Sequence, residues 1–192
     1  IEAAVYGEET SPRDVMGPRL TTEGVLIQGY FPEAEKAEVL AGKKTYPMEQ
    51  EDEAGYFAVL IPGRRIPEYL FRVTWGEKTD EFADPYAFAG QITEEEEKAF
   101  CAGVYYHAYE KLGAHPLTVR GTEGVSFAVW APNAVSVSVV GDFNNWDGRC
   151  HIMHRMPMSG IFELFVPGAK KGDLYKYEIK IRSGEKKLKT DP

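Results

Sequence analysis

The stretches VSFAVW (residues 125–130) and VSVSVV (residues 135–140) alternate apolar with small or polar side chains, and they decide the fold class of this chain. Alternation with a period of two puts the apolar side chains on one face of an extended segment, which is typical of a half-buried β-strand. LYKYEIKI (residues 174–181) continues the pattern. Turn signals rich in Gly, Pro, Asn and Asp separate these segments at about the 8–12-residue spacing of an antiparallel sandwich. The second half of the chain is therefore predicted to be a β-sandwich.

The first half of the chain repeats the second half at an offset that grows slowly along the sequence. The matches keep their order: EGV (23–25) recurs at 123–125, GYF (55–57) corresponds to GIF (160–162), and DP (84–85) corresponds to DP (191–192). Ordered matches separated by small insertions indicate a duplicated unit, whereas chance would scatter the offsets. We therefore predict an all-β chain of two β-sandwich domains in tandem.

A short helical linker is predicted between the two copies. Thr93 is followed by four glutamates (94–97), a capping-box spacing that places negative charge at the positive end of a helix. Residues 105–112 have the composition of one or two further helical turns, and Gly113 would end them.

Composition and charge exclude several classes of protein. The 192 residues carry 22 basic and 30 acidic side chains, so the net charge of −8 disfavours a nucleic acid or an anionic membrane as partner. No apolar run is long enough to span a bilayer, and the N-terminus lacks the features of a secretion signal. Cys101 and Cys150 are too few for a disulfide framework, which favours a cytoplasmic protein. Because residue 1 is Ile rather than Met, we expect a piece of a longer chain.

Residues that could carry catalysis or bind a metal do not converge in this sequence. His151 and His154 are three residues apart, but no Cys, Asp or Glu stands beside them at ligand spacing, so edge or surface histidines are the favoured interpretation. Asp142 and Asp147 share one loop, where aspartate usually caps turns. Nucleophile elbows, phosphate loops and dinucleotide fingerprints do not occur. We expect no catalytic residue, no metal site and no cofactor.

The loop GDFNNWDG (residues 141–148) is the best candidate for a binding site. Phe143 is predicted to point inward and Trp146 at least partly outward, because an indole is a flat apolar plate with one N–H donor and suits a half-wet position. Such a plate can bind the C–H face of a pyranose ring while Asn and Lys side chains bond its hydroxyls. In the alternative, Trp146 packs on its own sandwich and the asparagines only close a turn.

Several motifs resemble a known family when they are taken together. FAVWAPNA (127–134), GDFNNWDGR (141–149), GIFELFVPG (160–168), YKYEI (175–179) and KTDP (189–192) look like the family 48 carbohydrate-binding module of glycogen branching enzymes. The first copy then fits the extra N-terminal domain of the bacterial enzymes. The resemblance implies an immunoglobulin-like domain (1–90), a linker (91–114) and the binding module (115–192). It also implies a parent 1,4-α-glucan branching enzyme, whose barrel cuts α-1,4 linkages and re-attaches the chain as an α-1,6 branch.

The same resemblance implies which residues contact sugar. Trp146 and Lys176 map onto contact positions of related glycogen-binding modules, and Asn144 and Asn145, which directly precede the tryptophan, are further candidates. The second tryptophan of those modules falls on Leu188, so half of the aromatic clamp is replaced. The expected partners are an α-1,4-glucan, held weakly, and the parent's own catalytic barrel, for which the chain would serve as a scaffold.

Two other functions remain open on the sequence. The chain could be a pair of immunoglobulin-like modules that bind protein without binding sugar, in which case Trp146 should be buried and a contiguous apolar patch exposed. A small hydrolase is the third hypothesis, and the missing catalytic constellation weighs against it.

Overall fold

The computed structural model describes Pro12 and residues 15–191, and about half of that part of the chain is β-strand. The strands are, in chain order, β1 (Gly17–Leu20), β2 (Val25–Tyr30), β3 (Lys36–Ala41), β4 (Lys44–Pro47), β5 (Glu49–Asp52), β6 (Tyr56–Ile61), β7 (Leu70–Trp75), β8 (Lys78–Phe82), β9 (Gly113–Val119), β10 (Thr122–Trp130), β11 (Ala134–Gly141), β12 (His154–Arg155), β13 (Ile161–Pro167), β14 (Tyr175–Ile181) and β15 (Lys186–Lys189). A helix, α1 (Glu94–Cys101), and two 3-10 turns (Pro85–Ala87 and Ala108–Glu110) lie between β8 and β9. None of the described helices has the length and apolar character needed to cross a membrane.

Each half of the chain forms a sandwich of two antiparallel sheets. The sheets of the first sandwich have the strand orders β1-β2-β6-β5 and β4-β3-β7-β8. The sheets of the second have the orders β12-β13-β10-β9 and β11-β14-β15. Apolar side chains that alternate along these strands fill the space between the sheets of each sandwich. The predicted fold, two immunoglobulin-like sandwiches joined by a partly helical linker, is confirmed.

The strand registers repeat between the two sandwiches. Val25 pairs with Ile61 on β2 and β6, and Val125 pairs with Val166 on β10 and β13, which are shifts of 100 and 105 residues. In the other sheet of each sandwich, the pairing of β3 with β7 corresponds to the pairing of β11 with β14, and the two strands are shifted by 100 and 106 residues. A one-residue slip would turn every side chain to the opposite face, so equal registers indicate equivalent strands. These shifts are the offsets seen in the sequence.

The second sandwich differs from the first where β4 would lie. In the first sandwich, β4 forms a hairpin with β3 over four residue pairs. In the second, the chain after β11 returns to that edge with one isolated bridge, Ser138 to Ile152. Residues 142–150, between β11 and this bridge, form a loop in place of strand pairing.

The linker is fastened to the second sandwich through two buried carboxylates. Thr93 and Glu96 form the predicted capping box at the start of α1. The Glu97 carboxylate, 1% exposed, accepts hydrogen bonds from the backbone N–H groups of Met158 and Ser159 and from the Ser159 hydroxyl, each at 2.9 Å. Glu163 on β13 accepts from the backbone N–H groups of Gln91 and Ile92. The linker is thereby held along one face of the second sandwich.

The two sandwiches share an apolar interface. Met16, Tyr30, Tyr56 and Tyr86 of the first half lie in the same buried cluster as the core of the second sandwich. The Tyr86 hydroxyl accepts from the Ile152 backbone N–H at 2.9 Å. A continuous core of this kind fixes the relative position of the two sandwiches.

Candidate functional site

The candidate loop leaves β11 and turns sharply through left-handed backbone. Asn145 and Trp146 have φ angles of 53° and 61°. Asparagine tolerates this region, whereas a bulky aromatic side chain adopts it rarely. The backbone N–H groups of Asn144 and Trp146 both donate to the Gly141 carbonyl, at 3.2 and 3.1 Å. These bonds hold the tryptophan at the outer end of the loop.

Asn144 is turned into the loop rather than toward solvent. Its side chain is 8% exposed; its Oδ1 accepts from the Gly141 N–H at 2.9 Å, and its Nδ2 donates to the Val139 carbonyl at 2.9 Å. The same Nδ2 lies 2.8 Å from Nδ1 of His151. All of these partners belong to the chain, so Asn144 shapes the loop and presents no polar group to a ligand in this conformation.

His151 supports the loop from beneath; it is half-buried and lies beside the bridge residue Ile152 at the sheet edge, as the edge interpretation predicted. Burial lowers the pKa of His151 to about 4, and the charge of Asp147 acts in the opposite direction. The ring is therefore neutral near pH 7, and its Nδ1 can accept the hydrogen bond from Asn144. Phe143 points inward as predicted and packs edge to face on His151.

Trp146 lies on the surface of the loop with its ring 41% exposed. Its Nε1 donates to Oδ1 of Asp142 at 3.3 Å. Oδ2 of the same carboxylate accepts from the Leu174 backbone N–H at 2.9 Å. Asp142 thus joins the tryptophan to the turn that opens β14, and the indole forms a half-exposed apolar plate with a fixed edge.

Lys176 lies on the outer face of the sheet next to this loop. On β14 the core-facing side chain is the buried Tyr177, so the adjacent Lys176 and Glu178 face outward. Leu188 of β15 pairs with Glu178, which puts it on the same outer face, and it is 55% exposed. Lys176 and Leu188 therefore lie on the same outer face of the β11-β14-β15 sheet, and the loop that carries Trp146 follows β11 of that sheet.

The second loop carboxylate, Asp147, is held by an arginine. Arg149 donates to it from its backbone N–H, from Nε and from Nη2, with the closest contact at 2.7 Å. Burial alone would raise the pKa of Asp147, but these contacts lower it below its ordinary value. A carboxylate held in this way caps the turn, and it lacks the raised pKa that a glycosidase acid requires.

Asn145 differs from its neighbours because its amide is available. The side chain is exposed, and within the described part of the chain its amide makes no hydrogen bond. It can therefore donate to and accept from a ligand hydroxyl.

No cluster of three or more His, Cys, Asp or Glu side chains that could hold a metal ion occurs among the described residues. Burial raises the pKa of the Cys150 thiol to about 12, so that thiol is unreactive at neutral pH. Cys101 is a free, exposed thiol on α1.

A cleft of about 680 Å³ lies between the loop and the first sandwich. Asn145 and Arg149 line one side, and Trp75 and Phe82 line the other. Arg149 also lies over the ring of Tyr30, 5.4 Å from its centre, across the interface. Sequence patterns did not predict this cleft, because its walls are more than 50 residues apart and share no periodicity; the only signal was a tryptophan at the end of a predicted strand.

Family models match both halves of the chain. Residues 1–86 match the N-terminal domain of the alpha-1,4-glucan branching enzyme GlgB. Residues 111–192 match carbohydrate-binding module 48, the isoamylase N-terminal domain. In this order, the two matches correspond to an N-terminal region of a glycogen branching enzyme.

Solved structures of pullulanases are similar to this chain at sequence identities of 17–21%. The type I enzyme of Bacillus subtilis str. 168, complexed with maltose, is 21% identical over 87% of this chain and 22% of its own, with a TM-score of 0.34. The enzyme of Anoxybacillus sp. LM18-11, complexed with maltotriose, is 17% identical over 92% and 25%, with a TM-score of 0.34. The apo enzyme of Klebsiella pneumoniae is 17% identical over 88% and 21%, with a TM-score of 0.35. The chain spans about a fifth to a quarter of the length of these pullulanases.

Proposed function

We propose that this chain is the non-catalytic N-terminal portion of a glycogen branching enzyme and that it offers α-1,4-glucan a weak binding surface. Its two family matches support this assignment. The parent enzyme would cleave α-1,4 linkages and re-attach the chain as an α-1,6 branch on a barrel outside this sequence. The N-terminal portion would act as a scaffold that positions this barrel. It would lie in the cytoplasm, where Cys101 and Cys150 stay reduced.

The observation that carries the sugar-binding part is the half-exposed Trp146 ring. The loop holds this plate by the bond to Asp142, and Lys176 pairs with Val140, close to where β11 enters the loop. A glucose ring can cover the indole while the ammonium group bonds a hydroxyl. Leu188 occupies the position of the second tryptophan, so only one aromatic ring is available to stack on the sugar, and binding should be weak.

The exposure of Trp146 also weighs against a purely protein-binding module. That alternative required a buried tryptophan at this position, with binding carried by an apolar patch elsewhere.

Affinity electrophoresis through a gel containing glycogen tests the proposal. We expect glycogen to retard the wild-type chain and Trp146→Ala to migrate as it does in a gel without polysaccharide. Trp130→Ala is the matched control, because Trp130 is also exposed, at 56%, but lies away from the loop at the end of β10. Equal mobility of the wild type in gels with and without glycogen would remove glucan binding from the proposed function.

A further inference from the structure

The cleft between the two sandwiches has the size and fixed walls of a ligand site. Its volume of about 680 Å³ falls within the range of small-molecule sites. Tyr30 and Tyr86 line it from the shared core, and the Tyr86 hydroxyl is bonded to the chain that leaves the loop. Because both walls are tied to one core, the cleft keeps its width without a ligand.

The wall from the first sandwich is a flat aromatic surface. Trp75 and Phe82 stack with 20° between their planes and 6.5 Å between their centres. The Trp75 Nε1 donates to the Pro32 carbonyl at 2.9 Å, which fixes the indole and satisfies its one polar atom. The ring is half-buried, so an apolar plate lines the cleft with no polar group in need of a partner.

The wall from the second sandwich is polar and comes from the candidate loop. Asn145 lines the cleft with its unbonded amide, whereas Trp146 does not line it. The two adjacent loop residues therefore differ in position: Asn145 lines the cleft, and the exposed Trp146 lies outside it.

The charges lining the cleft favour a neutral ligand. Both cations that line it are paired to carboxylates that line it: Lys78 with Asp80 at 2.6 Å, and Arg149 with Asp147 at 2.7 Å. Further carboxylates, Glu33 and Asp142, have no such counter-charge there, so the lining is net negative. Phosphates and other anions would be repelled, whereas hydroxyl groups can donate to these carboxylates.

We propose that the cleft is a second α-glucan site, in which a glucose ring lies on Trp75 and its hydroxyls bond Asn145. The proposal rests on the proposed function, since it extends the same glucan from the outer face of the loop into the space between the sandwiches. An aromatic plate facing amide and carboxylate groups is the set that binds a neutral polyhydroxyl ring. The first sandwich, which lacks a counterpart of the tryptophan loop, would thus contribute to binding through Trp75.

Tryptophan fluorescence can separate the two sites, because the chain has three tryptophans, Trp75, Trp130 and Trp146. Three variants, each retaining one of them and carrying Phe at the other two positions, are titrated with maltoheptaose. We expect saturable emission changes in the variants that retain Trp75 or Trp146 and none in the variant that retains Trp130. Cellohexaose serves as the control sugar, and circular dichroism confirms that each variant is folded.

Asn145→Gly in the variant that retains Trp75 provides the second measurement. Glycine keeps the left-handed backbone and removes the amide, so the affinity reported by Trp75 should fall roughly three- to tenfold. A response of Trp146 without one of Trp75, or an unchanged affinity in Asn145→Gly, overturns the cleft site and leaves the proposed function standing. A response at neither tryptophan overturns both.

Discussion

Tyr175 donates a hydrogen bond from its hydroxyl to the Asp191 carboxylate, closing the second sandwich near its C-terminal end. The first sandwich has the same bond between Tyr69 and Asp84, at 2.5 Å. In both, burial and the adjacent carboxylate raise the pKa of the tyrosine, which keeps its proton at neutral pH. The duplication has therefore preserved a tertiary contact as well as the strands.

We predict that Tyr175→Phe lowers the free energy of unfolding by about 1–2 kcal/mol, the contribution of one hydrogen bond to a charged acceptor. Chemical denaturation measures the loss, and Tyr69→Phe should reproduce it in the first sandwich. Tyr109→Phe is the control, because that ring is 68% exposed and its change should stay within about 0.5 kcal/mol. Equal stability of Tyr175→Phe and wild type would mean that the bond stabilises nothing.

A second contact found in both sandwiches is a glycine packed against a proline: Gly55 on Pro32 in the first and Gly160 on Pro132 in the second. Gly160 has a φ of 71°, and a Cβ on it would lie 2.7 Å from Cα of Pro132. Gly160→Ala should therefore cost roughly 2–3 kcal/mol, of which about 1 kcal/mol is backbone strain. Gly168→Ala separates the two terms, because Gly168 has a φ of 78° with nothing within 4 Å of its Cβ position. Equal losses of stability in the two variants would show that the contact with Pro132 adds nothing to the cost of the substitution.

Stability at acidic pH should depend on Glu97. Burial by itself raises the pKa of this carboxyl, but hydrogen bonds from Ser159 and Met158, together with nearby His154, bring it below its ordinary value. A pKa lowered on folding stabilises the protein above the unfolded value of about 4.3, and this contribution is lost as pH falls through the folded value. Glu97→Gln should then cost roughly 2 kcal/mol at pH 7, and the difference from wild type should narrow below about pH 5.

Urea denaturation from pH 3 to 7 checks this dependence. Glu94→Gln on the same helix is the control, because Glu94 is exposed and its ion pair with Lys98, at 2.6 Å, lies at the surface. Its stability should parallel that of the wild type throughout. A difference for Glu97→Gln that stays constant with pH would contradict the linkage.

Glucan affinity should rise when the second aromatic plate is supplied. Leu188→Trp adds an indole to the outer face that carries Lys176, so a longer stretch of glucan can be covered. We expect isothermal titration with maltoheptaose to show roughly fivefold tighter binding. Lys187→Trp puts the same ring on the opposite face of β15 and should have no effect; an equal gain there would indicate nonspecific adsorption.

The sequence was informative wherever the physical cause was local. Strands could be predicted because VSFAVW and VSVSVV alternate at the period of the pleat, and the cap at Thr93 because its partner Glu96 is three residues away. The outward position of Trp146 followed from the amphipathic character of an indole beside an apolar Phe143.

Features set by distant contacts could not be predicted. Asn144 and Asn145 look equivalent in the sequence, yet only Asn144 turns inward, because Val139 and His151 supply its partners. The contact of Arg149 with Tyr30 joins residues more than 100 positions apart, and no periodicity marks either of them. The cleft follows from that docking, so it becomes visible only in the folded chain.

The anchoring of the linker limits how this protein can be cut and recombined. Gly90 passes so close to Glu163 that a Cβ there would lie 1.7 Å from Oε1, and the next two residues cap the same carboxylate. Any chimera that transplants the second sandwich must carry the chain from about Gly90 onward. A graft that starts at β9 would bury Glu163 in the recipient without the backbone donors of Gln91 and Ile92.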